Sequence, residues 1–253
     1  MNNKIQQGFS RSAVRYDQFS GLHRGIAEGL LARVIKAAAP SAILDVGCGT
    51  GYLTIKAQEK FPRAKVTGLD FAEGMLEVAR LKDNEIEWVN GDGQDLGFAD
   101  SSFDLVISNL AYQWAEDLKK SFAEARRVLS SNGILACTLF GRSTCQELFQ
   151  SLDESTGRSL TVARLPDEAQ VYQALNLSGF KDPHVECERI QIEFKDIFDL
   201  ITWLKSIGAN NLSREGYLGA GAVLRANTIY QERFPYRQGV MATFEVIKVY
   251  VKK

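Results

Sequence analysis

The chain has 253 residues, of which 45% are hydrophobic, and its formal net charge is −1 at pH 7. This length and apolar fraction allow a sizeable core in one domain with an insertion. No apolar run approaches the ~20 residues of a membrane span, and no basic-then-apolar leader is visible, so we expect a cytoplasmic protein without membrane or nucleic-acid partners.

The first elements are helical and basic. Leu22, Ile26, Leu30, Val34 and Ala38 recur every four residues and stop before Pro40. Residues 1–40, with a net charge of +4, are therefore predicted as a helical flap, and residues 41–253 as the main domain. Residues 41–199 carry −10 and residues 200–253 carry +5. Basic ends on one face would attract an acidic partner, although uneven charge is also common on solvated surface.

Strands and helices then alternate along the chain. Strands are predicted at residues 42–46, 65–70, 86–90, 103–108 and 133–140, with helices at 51–60 and 72–81. A further helix through Phe122, Ala125 and Leu129 is predicted to end at residues 131–133. Residues 184–194 and 242–251 are predicted as an antiparallel edge pair. These patterns predict an α/β fold with a seven-stranded, mostly parallel, doubly wound sheet.

A glycine-rich turn follows the first strand. Asp45 and the glycines Gly47, Gly49 and Gly51 surround Cys48, and Asp70 ends the second strand. Glycines let a ligand approach the backbone closely, and a carboxylate at the sheet edge suits a ribose diol. A nicotinamide-binding fingerprint has the spacing G-x-G-x-x-G, whereas this chain has G-x-G-x-G and Tyr52 at the position of the fingerprint's third glycine. A nicotinamide-binding function is therefore the weaker alternative. The four cysteines and two histidines show no zinc-ligand spacing, so no metal is expected.

Other candidate ligand-binding residues follow the later strands. Asp92, next to Gly93, is placed to accept a hydrogen bond from an adenine amino group, although an ordinary Asp-Gly turn explains it almost as well. Asn109, Gln113 and Trp114 follow the fourth strand, where buried amides and aromatic rings suggest the lining of a pocket.

A helical insertion is predicted at about residues 196–239. Ile197, Leu200, Ile201, Leu204 and Ile207 form an apolar stripe, which indicates a helix that faces the core and stops at Gly208. The amides Asn210 and Asn211 come just past its end, where they cap the chain or face a pocket.

The phrase L-D-V-G-C-G-T-G with Asp70 resembles motif I of the class I S-adenosylmethionine-dependent methyltransferases. That resemblance implies a Rossmann-like class I methyltransferase fold and S-adenosylmethionine as the cofactor. The cofactor-binding residues that this resemblance implies, or that their positions in the sequence suggest, are Asp45, Gly47, Cys48, Gly49, Gly51, Asp70, Phe71, Met75, Asp92, Gly93 and Asn109.

A narrower resemblance covers nearly the whole chain. Residues 9–13 with Tyr16 and Asp17, residues 109–114, residues 204–211 and residues 242–247 together look like the malonyl-acyl-carrier-protein O-methyltransferases, which open the pimeloyl branch of biotin synthesis. Phe244 departs from the tyrosine expected in that family. The resemblance implies an acidic carrier protein as partner, with Arg214, Arg225, Arg233 and Arg237 as the basic residues that meet it.

The implied reaction methylates the free carboxylate of a malonyl thioester. Because that carboxylate is already ionised at neutral pH, no general base is required. By position, the candidates for holding it are Tyr16, Gln113, Trp114, Arg142, Asn210 and Asn211. Arg142, two residues past the fifth strand, would orient a carboxylate with two hydrogen bonds and so serve recognition rather than catalysis.

Three other functions stay open from the sequence. A methyltransferase acting on a small organic acid or a quinone shares the glycine turn and Asp70 but has no need of the basic insertion. A cofactor-binding sensor without catalysis would keep the turn and lose the acceptor pocket. A nicotinamide oxidoreductase is the third, and it would bind NAD rather than S-adenosylhomocysteine.

Overall fold

The computed structural model describes residues 3–157, 165–209 and 219–253. Two helices, α1 (Asn3–Phe19) and α2 (Gly21–Ile35), precede the sheet. The alternating region then comprises β1 (Ala42–Val46), α3 (Tyr52–Lys60), β2 (Lys65–Asp70), α4 (Glu73–Lys82), β3 (Glu87–Asn90), β4 (Phe103–Asn109), α5 (Leu118–Val128) and β5 (Leu129–Phe140). A short 3-10 helix, Tyr112–Trp114, follows β4.

The remaining elements build the far edge of the sheet and the insertion. They are α6 (Gln146–Thr156), α7 (Glu168–Leu177), β6 (His184–Phe194), α8 (Ile197–Ser206), α9 (Ala220–Arg233), β7 (Pro235–Tyr236) and β8 (Gly239–Lys252). Residues 210–218, which include Asn210, Asn211 and Arg214, lie outside the described residues.

The strand order is β3-β2-β1-β4-β5-β8-β6, and the two-residue β7 pairs with β8. β1 to β5 pair in parallel, whereas β8 runs antiparallel to both β5 and β6. The predicted α/β sheet and its antiparallel edge pair are confirmed, and within the described residues the short β7 adds an eighth strand to the seven that were predicted. This order reverses direction between β1 and β4, which is where a doubly wound sheet binds its ligands.

One predicted boundary is wrong. The helix expected to continue to residues 131–133 ends at Val128, and Leu129 begins β5. Leu129 pairs with Phe103 and Ile134 pairs with Leu105, so the two strands change register between these pairs through an irregularity. The apolar Leu129 fits the buried face of the helix or of the strand equally well, and strand pairing decides its position.

Alternating side chains of the central strands pack against helices on both faces. Ile43 and Leu105 lie with Leu30 and Val34 of α2, while Leu44 packs in the opposite cluster with Phe122 of α5. A third apolar cluster joins α6, α8 and α9 to the carboxyl end of β5 and to β8, around Phe140, Tyr230 and Phe244. The insertion therefore packs over the same sheet edge as the glycine turn.

The helices α1 and α2 pack against the sheet helices, and α1 also contacts α8 of the insertion. A Cβ at Gly208, which has φ of +79°, would lie 2.8 Å from the ring of Phe9, so the end of α8 fits closely against α1. No helix in the described segments is long and apolar enough to cross a membrane.

Candidate functional site

The turn between β1 and α3 is built around the carboxylate of Asp70. Gly47 N and Cys48 N donate to the Leu69 carbonyl at 2.7 and 3.0 Å, and Gly49 N donates to Asp70 Oδ2 at 2.8 Å. Ala72 N donates to Asp70 Oδ1 at 2.8 Å. Each carboxylate oxygen therefore has one backbone partner and keeps acceptor capacity for a ligand. Burial raises the pKa of Asp70 to about 6, against the opposite effect of these backbone hydrogen bonds.

Two glycines of the turn serve different purposes. A Cβ at Gly47 would lie 2.2 Å from Cβ of Ala111, so this glycine lets the turn pack against the loop after β4. Gly49 has φ of +55°, and its Cβ would meet no atom within 4 Å. Gly49 therefore leaves open space beside the backbone, as close approach of a ligand requires.

A cavity opens beside Asp70. We call it the Asp70 cavity. It lies at the carboxyl ends of β1, β2 and β4, and α1 covers it. Its lining includes Phe9, Tyr16, Gly47, Gly49, Asp70, Phe71, Met75, Gly93, Gln94, Asn109 and Trp114. Seven of the predicted cofactor-binding residues are thus brought together, and Gln94 is a lining residue that sequence reasoning missed.

Four other predicted cofactor-binding residues lie outside this lining. Asp45 and Cys48 line a smaller neighbouring cavity between the turn and α1 and α2. Gly51 starts α3 with φ of +84°. The Asp92 carboxylate accepts a hydrogen bond from Gln94 N at 2.9 Å, which stabilises its own turn.

Asp45 is a buried carboxylate with one unpaired oxygen. Its Oδ2 accepts a hydrogen bond from Thr54 Oγ1 at 2.6 Å, whereas Oδ1 is buried and has no partner among the described residues. Burial, and to a smaller extent the nearby Asp70 carboxylate, raise the pKa of Asp45 to about 7, against the opposite effect of the hydrogen bond from Thr54. An unpaired buried acceptor costs free energy, so this site favours a ligand that donates hydrogen bonds.

α1 is fixed to the glycine turn through Asp17. Its Oδ1 accepts a hydrogen bond from Thr50 Oγ1 at 2.7 Å, and its Oδ2 lies 2.5 Å from Lys82 Nζ. At the other end of the helix, Gln6 Nε2 donates to the Phe71 carbonyl at 2.6 Å. These contacts hold Phe9 and Tyr16 over the Asp70 cavity.

A second, mainly aromatic cavity adjoins the first. It shares Phe9, Tyr16, Leu110 and Trp114 with the Asp70 cavity. We call it the aromatic cavity. Its other lining residues are His23, Gln113, Phe140, Thr144, Leu165, Trp203, Leu204, Ile207, Ala209 and Phe244. The predicted acceptor residues Tyr16, Gln113 and Trp114 are therefore together.

Phe244 forms a fully apolar part of the aromatic cavity. Only 1% of its surface is exposed, and its ring centroid lies 5.3 Å from that of Trp203 and 5.7 Å from that of Phe140.

Burial raises the pKa of Tyr16, with the Asp70 and Asp17 carboxylates acting in the same direction. Tyr16 consequently stays a neutral hydroxyl where the two cavities meet.

The structure places Arg142 away from both cavities. Its Nη2 lies 3.1 Å from Asp167 Oδ2 and 3.1 Å from Gln170 Oε1, at the start of α7. Its side chain is 58% exposed and lines an open groove instead. The expected role in holding a carboxylate has no support from this placement, because Arg142 N donates to the Pro166 carbonyl at 3.0 Å and the side chain lies beside the start of α7.

The basic residues of the insertion have partners of their own. Arg225 Nη2 donates to the Ser155 carbonyl at 3.2 Å, and Arg233 pairs with Glu154, so both contact α6. The guanidinium of Arg237 lies 5.1 Å from the ring centroid of Tyr236. In the described segments, no group of His, Cys, Asp and Glu side chains is arranged to hold a metal ion.

Comparison with known proteins agrees with this geometry. Residues 44–137 match a family model described as a methyltransferase domain. A malonyl-[acyl-carrier protein] O-methyltransferase of Hahella chejuensis is 35% identical over 250 residues, covering 96% of this chain and 88% of the relative.

Two solved structures share the fold. The YcgJ protein of Bacillus subtilis superposes with a TM-score of 0.65 at 17% identity, over 90% of this chain and 97% of its own. A Haemonchus contortus phosphoethanolamine N-methyltransferase in complex with S-adenosyl-L-methionine has a TM-score of 0.61 at 20% identity, over 96% of this chain and 57% of its own.

Proposed function

The chain belongs to the malonyl-[acyl-carrier protein] O-methyltransferase family, and from that membership we propose that it methylates the free carboxylate of malonyl-[acyl-carrier protein] with S-adenosylmethionine. The product is a malonyl methyl ester, which would prime pimeloyl synthesis for biotin. The observation that carries the proposal is the direct junction of the Asp70 cavity with an aromatic cavity.

The residues of the Asp70 cavity fit S-adenosylmethionine. Asp70 offers two carboxylate oxygens to a ribose diol, and the apolar side chains of Phe71 and Met75 suit the faces of an adenine ring. In the smaller neighbouring cavity, the unpaired Oδ1 of Asp45 would accept a hydrogen bond from the positively charged amino group of the methionine part. When bound there, the cofactor supplies a methyl group activated by a positively charged sulfur.

The aromatic cavity would hold the malonyl group. Its described lining contains no Lys or Arg, so the malonyl carboxylate would keep its full nucleophilicity. Tyr16 and Trp114, which line both cavities, would set the direction from which the carboxylate approaches. Phe140, Trp203 and Phe244 exclude water, which favours a reaction in which opposite charges neutralise each other.

The carrier protein would dock beside the insertion. There the basic side chains of Arg225, Arg233 and Arg237 would attract an acidic partner over roughly 8–10 Å at physiological salt. Arg233 already pairs with Glu154, and Arg225 already donates to the Ser155 carbonyl. Because these side chains have partners within the protein, their charge would act mainly on the rate at which the carrier protein encounters the enzyme.

Transfer of labelled methyl groups tests the proposed function. Malonyl-carrier protein, malonyl-CoA and acetyl-carrier protein are incubated in parallel with the enzyme and labelled S-adenosylmethionine. We expect label on malonyl-carrier protein and none on acetyl-carrier protein, which has no free carboxylate. Label on a small organic acid or a quinone but not on the malonyl substrates would favour the small-molecule alternative.

A further inference from the structure

His23 lies in the wall of the aromatic cavity, and sequence analysis gave it no role. Asn109 Nδ2 donates to the His23 carbonyl at 3.0 Å, which fixes the first turn of α2 to the end of β4. The imidazole ring is surrounded by aromatic rings, with centroid distances of 5.8 Å to Tyr16, 5.7 Å to Phe140 and 6.0 Å to Trp203. The ring is therefore held in one place by its backbone and by its neighbours.

The imidazole is a neutral group with unused hydrogen-bonding capacity. Its Nδ1 is buried and has no partner among the described residues. Burial lowers the pKa of His23 to about 4, so the ring carries a single proton at neutral pH. A neutral imidazole has one donor and one acceptor nitrogen.

Most other side-chain donors of the aromatic cavity are already engaged. Gln113 Nε2 donates to the Leu110 carbonyl at 2.7 Å, and Trp203 Nε1 donates to the Phe19 carbonyl at 2.9 Å. Thr144 Oγ1 donates to the Glu245 carbonyl at 3.2 Å. Within the described lining, this leaves for a ligand the donors of Tyr16, His23 and Trp114 and the second N–H of the Gln113 amide.

We propose that the imidazole of His23 donates a hydrogen bond to the malonyl carboxylate, at the oxygen that is not methylated, and thereby selects acceptors with a free carboxylate. This inference rests on the proposed function. A carboxylate buried among aromatic rings needs donors, because leaving it without hydrogen bonds is very costly. A neutral donor orients the carboxylate without cancelling the charge that attacks the methyl group.

Three substitutions at one position separate hydrogen bonding from packing. His23→Leu removes the donor, whereas His23→Asn and His23→Gln keep an N–H near the position of Nδ1 or Nε2, respectively. The matched control is His184→Leu, because His184 is the other histidine, is 53% exposed and pairs with Glu186 on β6. Each variant is first checked for folding by its thermal melt and for binding of S-adenosylhomocysteine by calorimetry.

Two measurements on malonyl-carrier protein then follow. These are kcat/KM for methyl transfer and, without turnover, calorimetric binding in the presence of S-adenosylhomocysteine. We expect His23→Leu to weaken both by ten- to hundredfold, the range for a lost hydrogen bond to a charged group. The dissociation constant for S-adenosylhomocysteine should stay within about twofold of that of the unaltered protein. At least one of His23→Asn and His23→Gln should recover most of the loss, and His184→Leu should match the unaltered protein.

Several results would overturn the inference. One is unchanged binding and turnover in His23→Leu, and another is an equal loss in all three His23 variants, which would indicate packing alone. If His23→Leu does not fold, kcat/KM and binding of His23→Asn and His23→Gln are compared with those of the unaltered protein. Values close to the unaltered protein in at least one of them support the inference, and an equal loss in both overturns it. If the unaltered protein transfers no methyl group to malonyl-carrier protein, the proposed function falls as well, and the two failures are thereby distinguished.

Discussion

Replacement of Asp70 by alanine should weaken cofactor binding at least tenfold while the fold remains. After the bonds from Gly49 N and Ala72 N, and with the backbone of Phe71 also close, the Asp70 carboxylate keeps acceptor capacity for a ligand. Two ribose hydroxyls would each gain a charge-assisted hydrogen bond of about 1.5–3 kcal/mol. A factor of ten in affinity corresponds to ~1.4 kcal/mol of binding free energy. Losing half the energy of one such hydrogen bond, together with the positioning of the turn, is enough to reach about that value.

The effect on stability has two opposing parts. Alanine leaves the backbone N–H groups of Gly49 and Ala72 without an acceptor, at a cost of about 1–3 kcal/mol each where water does not replace it. It also removes a buried carboxylate whose pKa is raised from 3.8 to about 6. A raised acid pKa opposes folding at neutral pH by roughly 3 kcal/mol, and this cost disappears as the pH falls below 4. The parts largely cancel, so a folded variant is expected.

Calorimetric titration with S-adenosylhomocysteine at pH 7.5 measures the affinity. The matched control is Asp100→Ala, since the Asp100 side chain is 78% exposed and pairs with Arg127 far from the cavity. An unchanged dissociation constant in a folded Asp70→Ala protein would refute the ribose assignment.

Three other predictions follow from the same geometry. Affinity for S-adenosylhomocysteine should fall as the pH drops from 7 through about 6, because protonation of Asp70 removes acceptor capacity; titrations across this range should show a flatter profile for Asp70→Asn. Gly49→Val should lose cofactor binding, and Gly47→Val should lower the thermal midpoint further than Gly49→Val does, because both positions have positive φ but only a Cβ at Gly47 also clashes with Ala111; normal binding by Gly49→Val would contradict the placement. Arg142→Ala should change KM for malonyl-carrier protein less than twofold in steady-state assays, because its guanidinium pairs with Asp167; a tenfold rise would restore a recognition role.

The alternating strands and helices were predictable because each strand is a short apolar run bounded by turn residues. β1, β2 and β6 have the bounds that the pattern predicts. The helices α6 and α7 were not predicted, although α7 has a visible start signal. Asp167 and Gln170 form a capping box, in which each side chain bonds the other residue's backbone.

The candidate site was predictable from the sheet alone where the residue lies at a strand end, whereas Tyr16 on α1 and Met75 on α4 were expected from the resemblance. Asp70, Asn109 and the glycines follow directly from their strands, so the sheet itself brings them together. Arg142 also follows a strand, but its long side chain pairs with Asp167 at the start of α7. His23 gives no sequence signal, because its place beside Trp203 depends on how α2 and α8 pack.

The most direct test of the account identifies the product of the reaction with malonyl-carrier protein. Labelled methyl groups from S-adenosylmethionine should appear in an ester that mild base cleaves to release labelled methanol. The released carrier should again bear a malonyl group with a free carboxylate. Label that stays on the carrier after base treatment, or no label at all, would contradict methyl transfer to the malonyl carboxylate.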